Sequence, residues 1–148
     1  MQVILIQEPY NSYSMHFWDE WIGPGEIDCT YLTRQMLSRD TNKLLLLDDK
    51  ENLEGLCIFS KIPCLHVYRV HLIAKKHDSQ INGVGKMFID YLQKIYGDEK
   101  TSYKSTLLLS DDSQIPNYYE NLGFFKTKYI YYKWLLDDWF YPLYYRYI

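Results

Sequence analysis

The residues able to do chemistry concentrate in two short stretches. The first is Gln80-Ile81-Asn82-Gly83-Val84-Gly85-Lys86, which follows Val70-His71-Leu72-Ile73-Ala74 and a polar loop and opens onto a helical pattern. Glycines in such a turn let backbone N–H groups approach a ligand closely, and the helix N-terminus adds partial positive charge. Together they suit a phosphate or pyrophosphate. The spacing is not that of a Walker A loop, which needs G-x-x-x-x-G-K-[ST]. Nor is it the dinucleotide G-x-G-x-x-G, because Phe88 stands where the third glycine belongs. The second stretch is Pro116-Asn117-Tyr118-Tyr119-Glu120-Asn121-Leu122-Gly123-Phe124. A tyrosine there can serve as a general acid, since a phenol of ordinary pKa ~10 is protonated at neutral pH. His71 lies two residues before Ile73, so the alternation of a strand predicts that they share a face. Its imidazole suits base work near neutral pH. Asp111 and Asp112 are rivals, acting directly or through water. His16, His66 and His77 belong to no constellation.

The first stretch reads Q-x-x-G-x-G, and it resembles the acetyl-coenzyme A loop of the GNAT superfamily of N-acetyltransferases. The second resembles that family's Y-E-x-L-G-F segment, at the expected distance downstream. The order of elements fits the family along the whole chain. The resemblance implies acetyl-CoA as cofactor, with Gln80, Ile81, Asn82, Gly83, Val84, Gly85 and Lys86 around its pyrophosphate. Lys76 is a further candidate for charge at the adenosine end. The pantetheine arm would run along Leu72, Ile73 and Ala74. The backbone N–H of Ile73 would face the acetyl oxygen, and Tyr119 would return a proton to the thiolate while lining the cofactor. Tyr118 is expected to face away from Tyr119 and pack. The chain also departs from the pattern. The loop 75–79 is polar and lacks the common Pro, Asp112 stands where many members carry Asn, and Arg69 falls where some place a glutamate base. The base is therefore open among His71, Asp111, Asp112 and water.

These residues need a scaffold. Periodicity and turn signals predict strands over 3–7, 43–48, 53–61, 67–75, 106–110, 124–135 and 139–147. Helices are predicted over 12–22, from an N-cap at Asp28, over 84–96 with Gly97 as its stop, and briefly from Pro116 to Gly123. The 84–96 helix has its buried stripe on Val84, Phe88, Tyr91, Leu92 and Ile95. The fold class is α/β: a GNAT-like single domain, residues 1–148, with a mixed central sheet of about seven strands and helices on both faces.

Composition bounds the partners. The 148 residues carry 16 Lys+Arg against 19 Asp+Glu, a formal net charge of -3. That balance argues against a nucleic-acid binder. No apolar run approaches a membrane span. Cys29, Cys57 and Cys64 form no CxxC pair, so neither a disulfide framework nor a metal site is readable and a cytoplasmic setting is expected. The first 33 residues contain no Lys or Arg but carry Glu8, Asp19, Glu20, Glu26 and Asp28, interleaved with Tyr13, Phe17, Trp18 and Trp21. Acid beside aromatic faces suits a cationic amine. The expected reaction is transfer of an acetyl group to a primary amine (polyamine, aminosugar or lysine side chain) by direct attack in a ternary complex. The alternative is a catalytically weak acyl-CoA-binding or assembly module. Aromatic residues crowd the segment 129–148, which predicts a homodimer interface there.

Overall fold

A computed structural model describes residues 1–10, 16–97 and 104–148. Its strands are β1 (Gln2–Ile6), β2 (Trp21–Ile22), β3 (Asn42–Leu47), β4 (Leu53–Lys61), β5 (Val67–Lys76), β6 (Thr106–Ser110), β7 (Phe125–Thr127) and β8 (Leu143–Tyr147). The helices are α1 (Cys29–Leu37), α2 (Val84–Tyr96), α3 (Tyr118–Asn121) and α4 (Ile130–Leu136). One mixed sheet holds the strands in the order β1-β3-β4-β5-β6-β8-β7, with β2 attached to β5. The β5–β6 pair is parallel and the others are antiparallel.

Each face of the sheet is covered. Val84, Phe88, Ile89 and Leu92 recur at helical spacing, so α2 presents one apolar stripe to Leu44, Leu46, Cys57, Phe59, Val70 and Ile73. Ile95, expected in that stripe, is exposed. On the opposite face Leu32 and Met36 of α1 pack against Leu45, Leu56, Ile58, Leu72 and Ala74. Asp28 caps α1, its carboxylate accepting from the Tyr31 N–H at 3.1 Å. Gly97 ends α2 in extended backbone, φ -75°. A Cβ there would collide with the Gln93 carbonyl, so the position needs space, not left-handed freedom.

Two expectations fail. The predicted helix 12–22 is a 3-10 turn, Phe17–Glu20, followed by the two-residue strand β2. Residues 11–15, including Tyr13, lie outside the described residues. Phe17, Trp18 and Trp21 mimic helical spacing because all three are buried beside α1. The predicted strand 124–135 is a strand only at Phe125–Thr127, and α4 follows it. Tyr132 and Leu136, four apart, lie on one helical face and meet Leu108 and Leu143. That packing outweighs the strand preference of aromatic residues.

Candidate active site

The site starts from a defect in the sheet. Strands β5 and β6 pair only at Val67↔Thr106, Tyr68↔Leu107 and Arg69↔Leu108. Strand β2 takes up the same edge of β5 only at Lys75 and Lys76. Between them, Val70 to Ala74 have no strand partner on that edge among the described residues. The Ile73 carbonyl points out of this gap: a Cβ on Gly23 would sit 3.0 Å from it. In a pleated strand the N–H of a residue leaves from the same edge as its C=O, so the Ile73 amide faces the gap too.

A bulge lies beside the gap. The β4–β5 register runs through Ile58↔Leu72 and resumes at Phe59↔Val70, leaving His71 without a partner. The bulge inverts the expected alternation. Val70 and Ile73 face α2, while Leu72 and Ala74 face α1. His71 therefore does not share a face with Ile73; its ring meets Tyr31 of α1. The Tyr31 hydroxyl lies 2.5 Å from His71 Nδ1 and the Ser60 hydroxyl 2.7 Å from Nε2. Burial, with help from Arg69, pushes the imidazole down to about 3. With both nitrogens engaged and the cation disfavoured, His71 is not placed to act as a base.

Two clefts flank the gap and meet at Gly23, Pro24 and Ile73. The smaller, about 280 Å³, is bordered by Ala74, Gly83, Val84, Gly85, Lys86, Tyr118 and Leu122. Here α2 begins after Gly83, whose φ of 74° is left-handed. The first-turn amides of a helix have no intrahelical acceptor, so those of Val84, Gly85 and Lys86 are available to a ligand. Gly85 has a second role: a Cβ would strike the Tyr118 hydroxyl, so the glycine lets α3 close over the first turn of α2. Lys86 pairs with Asp90 at 2.5 Å and Lys76 with Glu20 at 3.8 Å. Leu72 borders the other cleft, and Gln80, Ile81 and Asn82 stand in the loop before Gly83.

The larger cleft, about 580 Å³, reaches Glu26, Asp28, Tyr31, Arg69, His71, Leu72, Asp111, Asp112, Tyr119, Asp138 and Tyr141. Tyr119 is 4% exposed, and its hydroxyl donates to Asp111 Oδ2. Burial raises the phenol's pKa, and the Asp111 carboxylate raises it further. Burial also raises Asp111, opposed by the hydrogen bond from Tyr119. Burial acts to raise Asp138, but the Ser110 hydroxyl at 2.6 Å and the amides of Phe140 and Tyr141 outweigh it and hold the carboxyl below its ordinary value. Of the early acidic residues only Glu26 and Asp28 reach this cleft, and Phe17, Trp18 and Trp21 do not, being core residues. Sequence reasoning missed the wall Gly23-Pro24-Gly25, which looks like a simple helix stop. It also missed Tyr118 in the smaller cleft, and Asp138 and Tyr141, which come from the far end of the chain.

No family model and no curated protein matches the chain by sequence. Solved structures match it in fold. Tetrahymena Gcn5 aligns with a TM-score of 0.62 at 20% identity, over 80% of this chain and 75% of that one. An acetyltransferase of the GNAT family from Staphylococcus aureus Mu50 gives 0.58 at 14%, over 73% and 68%. A putative streptothricin acetyltransferase from Bacillus anthracis, in complex with acetyl coenzyme A, gives 0.58 at 12%, over 100% and 99%. The chain thus has the fold of the GNAT acetyltransferases, as the loop and the Y-E-x-L-G-F segment led us to expect.

Proposed function

We propose that the protein is an acetyl-CoA-dependent N-acetyltransferase acting on a primary amine. The observation that carries this reading is the unpaired edge of β5, Val70 to Ala74, with a cleft on either side. An extended pantetheine arm can add to that edge as a strand would. The smaller cleft takes the cofactor. Amides at Val84, Gly85 and Lys86 face its pyrophosphate, with Gln80, Ile81 and Asn82 in the adjoining loop and Ala74 beside the arm. The larger cleft takes the acceptor. The Ile73 N–H is the donor for the oxygen that gains charge as nitrogen attacks the thioester, worth ~3 kcal/mol in comparable sites. Tyr119 supplies the proton to the departing thiolate. Five carboxylates in the acceptor cleft, against one guanidinium, favour a cationic amine such as a polyamine, an aminosugar or a lysine side chain.

Two measurements test this. Millimolar acetyl-CoA should raise the melting temperature by linkage. A panel of amines should then include one that drives thiol release. No melting shift refutes the cofactor. A shift with no release from any amine favours a binding module over an enzyme.

Three free cysteines support a cytoplasmic setting, and among the described residues no helix is long and apolar enough to cross a membrane. We further propose a homodimer through the C-terminal aromatic face. Ring contacts run from Phe125 through Tyr145 to Tyr147 and Tyr132, and on to Tyr129 and Tyr131. Ile130 and Trp134, four apart on α4 and on the side away from Tyr132 and Leu136, are also exposed, at 69% and 70%, and Phe140 is 94% exposed. Exposed rings of this kind suit a partner surface, and we assign a second copy of the chain to it. Light scattering at micromolar concentration should give twice 17.9 kDa. A monomer mass that persists on concentrating refutes the dimer.

A further inference from the structure

We propose that Asp111 and Tyr119 work as one proton relay. Asp111 takes the proton leaving the attacking nitrogen, and Tyr119 passes one to the departing sulfur. This rests on the acetyltransferase reading and assigns the base that the sequence leaves open.

The pair is built, not incidental. Asp111 follows β6 where that strand has left β5, and it borders the acceptor cleft together with Tyr119 and Ile73. Its main chain is tied down by a bond from its N–H to the Pro142 carbonyl, 3.1 Å. One carboxylate oxygen, Oδ1, accepts from the Asp112 N–H at 2.9 Å, and the other accepts from Tyr119. That fixes the plane of the carboxylate against the phenol. Gly25 leaves the room for it, since a Cβ at that position would collide with both oxygens. The Tyr119 ring is held by Phe124 at 6.0 Å and Tyr144 at 4.9 Å between centroids. His71, the rival, has both nitrogens occupied and its ring turned to Tyr31 of α1.

The chemistry needs both groups. A buried phenol that already donates to a carboxylate is a poorer acid than a free one, because losing its proton would set two anions side by side. Tyr119 becomes a competent donor only once Asp111 is protonated. The reaction supplies that proton. The ammonium first loses one proton to solvent. The neutral nitrogen attacks the thioester carbon, forming the C–N bond and a tetrahedral oxyanion that faces the Ile73 amide. Asp111 takes a proton from the now cationic nitrogen. The C–S bond breaks with its electron pair on sulfur. Tyr119 gives its proton to that sulfur and regains one from the Asp111 carboxyl. One proton has moved from nitrogen to sulfur, and the pair is back in its starting state. The titratable groups that act on the pair are Tyr118, Tyr144 and Asp112, and Glu26, Asp138 and Arg69 border the same cleft. None but Arg69 is a fixed cation, so the proton has a reason to stay on the relay.

The test is a double-variant cycle read by thiol release and by the acetyl-CoA melting shift. Asp111→Asn and Tyr119→Phe should each lower kcat by ~10²-fold with the melting shift kept, and the double variant should lose no more than the worse single one. The acid limb of the kcat–pH profile should lose the contribution of Asp111 in Asp111→Asn and keep only that of the ammonium. Gly25→Ala, which pushes the carboxylate off the phenol while sparing both groups, should reproduce the kcat loss and serves if Asp111→Asn does not fold. Losses that multiply to ~10⁴ in the double variant would overturn the relay. So would wild-type kcat in Asp111→Asn or Gly25→Ala. Failure of wild-type protein to release thiol from any amine refutes the relay as well, while a retained melting shift leaves the cofactor assignment standing.

Discussion

The two clefts beside β5 share a wall and little else. The smaller cleft, proposed for the cofactor, is lined mainly by apolar side chains and glycines, with Lys75, Lys86 and Tyr118. The larger cleft, proposed for the acceptor, is lined also by polar and titratable side chains: Tyr31, His71, Asp111, Asp112, Tyr119 and Asp138. One cleft offers backbone amides, which any sequence with the right turn can provide. The other depends on particular residues brought from α1, β5, β6, α3 and the segment after α4. On β5 one kind of wall becomes the other at Ile73, two residues beyond the bulge at His71. Residues on the acceptor side should therefore show pH-dependent effects, and residues on the cofactor side conformational ones.

The largest effect outside the relay falls on His71. Its folded-state pKa, about 3, lies below the unfolded value of 6.5. The unfolded chain therefore gains a proton first as pH falls, and stability present above pH 6.5 is lost progressively down to about 3. Between pH 6.5 and 5 that is about 2 kcal/mol. Burial raises Asp111, which works in the opposite sense but is common to wild type and variant. His71→Gln should keep hydrogen bonds to Tyr31 and Ser60 and lose about 2 kcal/mol less than wild type between pH 7 and pH 5 in urea titrations. Equal losses would mean the imidazole is protonated in the folded state.

On the cofactor side the counterpart is Gly83. Nothing lies within 4 Å of a Cβ built there, so crowding is not its reason; its φ of 74° is. A β-branched residue in left-handed backbone costs ~1–2 kcal/mol. Gly83→Val should weaken acetyl-CoA binding about tenfold with kcat at saturation little changed, as measured by calorimetry and by thiol release. Gly83→Asn, which tolerates the conformation, should recover most of the affinity. Equal weakening by Asn and Val would move the cause from backbone strain to the ligand's own space.

This difference also explains what the sequence revealed. The loop from Gln80 to Lys86 and helix α2 are local features with local signals: a strand, two glycines, then an apolar stripe. The short helix that carries Tyr119 was legible because its segment is local too. The expected strands 43–48 and 53–61 form the hairpin β3–β4, whose turn is local too: the Asp48 carboxylate accepts there from the amides of Lys50 and Asn52, both at 2.8 Å. What could not be read is what tertiary contact decides. A bulge has no signature at His71, so the alternation rule put that ring on the wrong face. Helix α4 reads as a strand because Tyr and Trp favour strands until Tyr132 and Leu136 find Leu108. The acceptor cleft joins Glu26 to Asp138, more than a hundred residues apart, and no spacing rule connects them.

The smallest effect tests the acidic character of the acceptor cleft. Glu26 and Asp112 border it and are exposed, so water and salt weaken their pull on a bound cation. Near a surface an ion pair is worth ~0.2–1 kcal/mol, up to about fivefold in binding. Glu26→Gln and Asp112→Asn should each raise KM about threefold for an amine with two or more positive charges and less for a singly charged one. Neither should change the acetyl-CoA melting shift, because neither borders the other cleft. Raising salt should lift the wild-type KM toward that of the variants, since a Debye length of ~10 Å at 0.1 M shrinks to ~3 Å at 1 M. An unchanged KM in both variants at low salt would show that the acceptor binds with its charge elsewhere. A neutral, hydrogen-bonded amine seated deeper, against Tyr31 and Ser110, would then be the better fit.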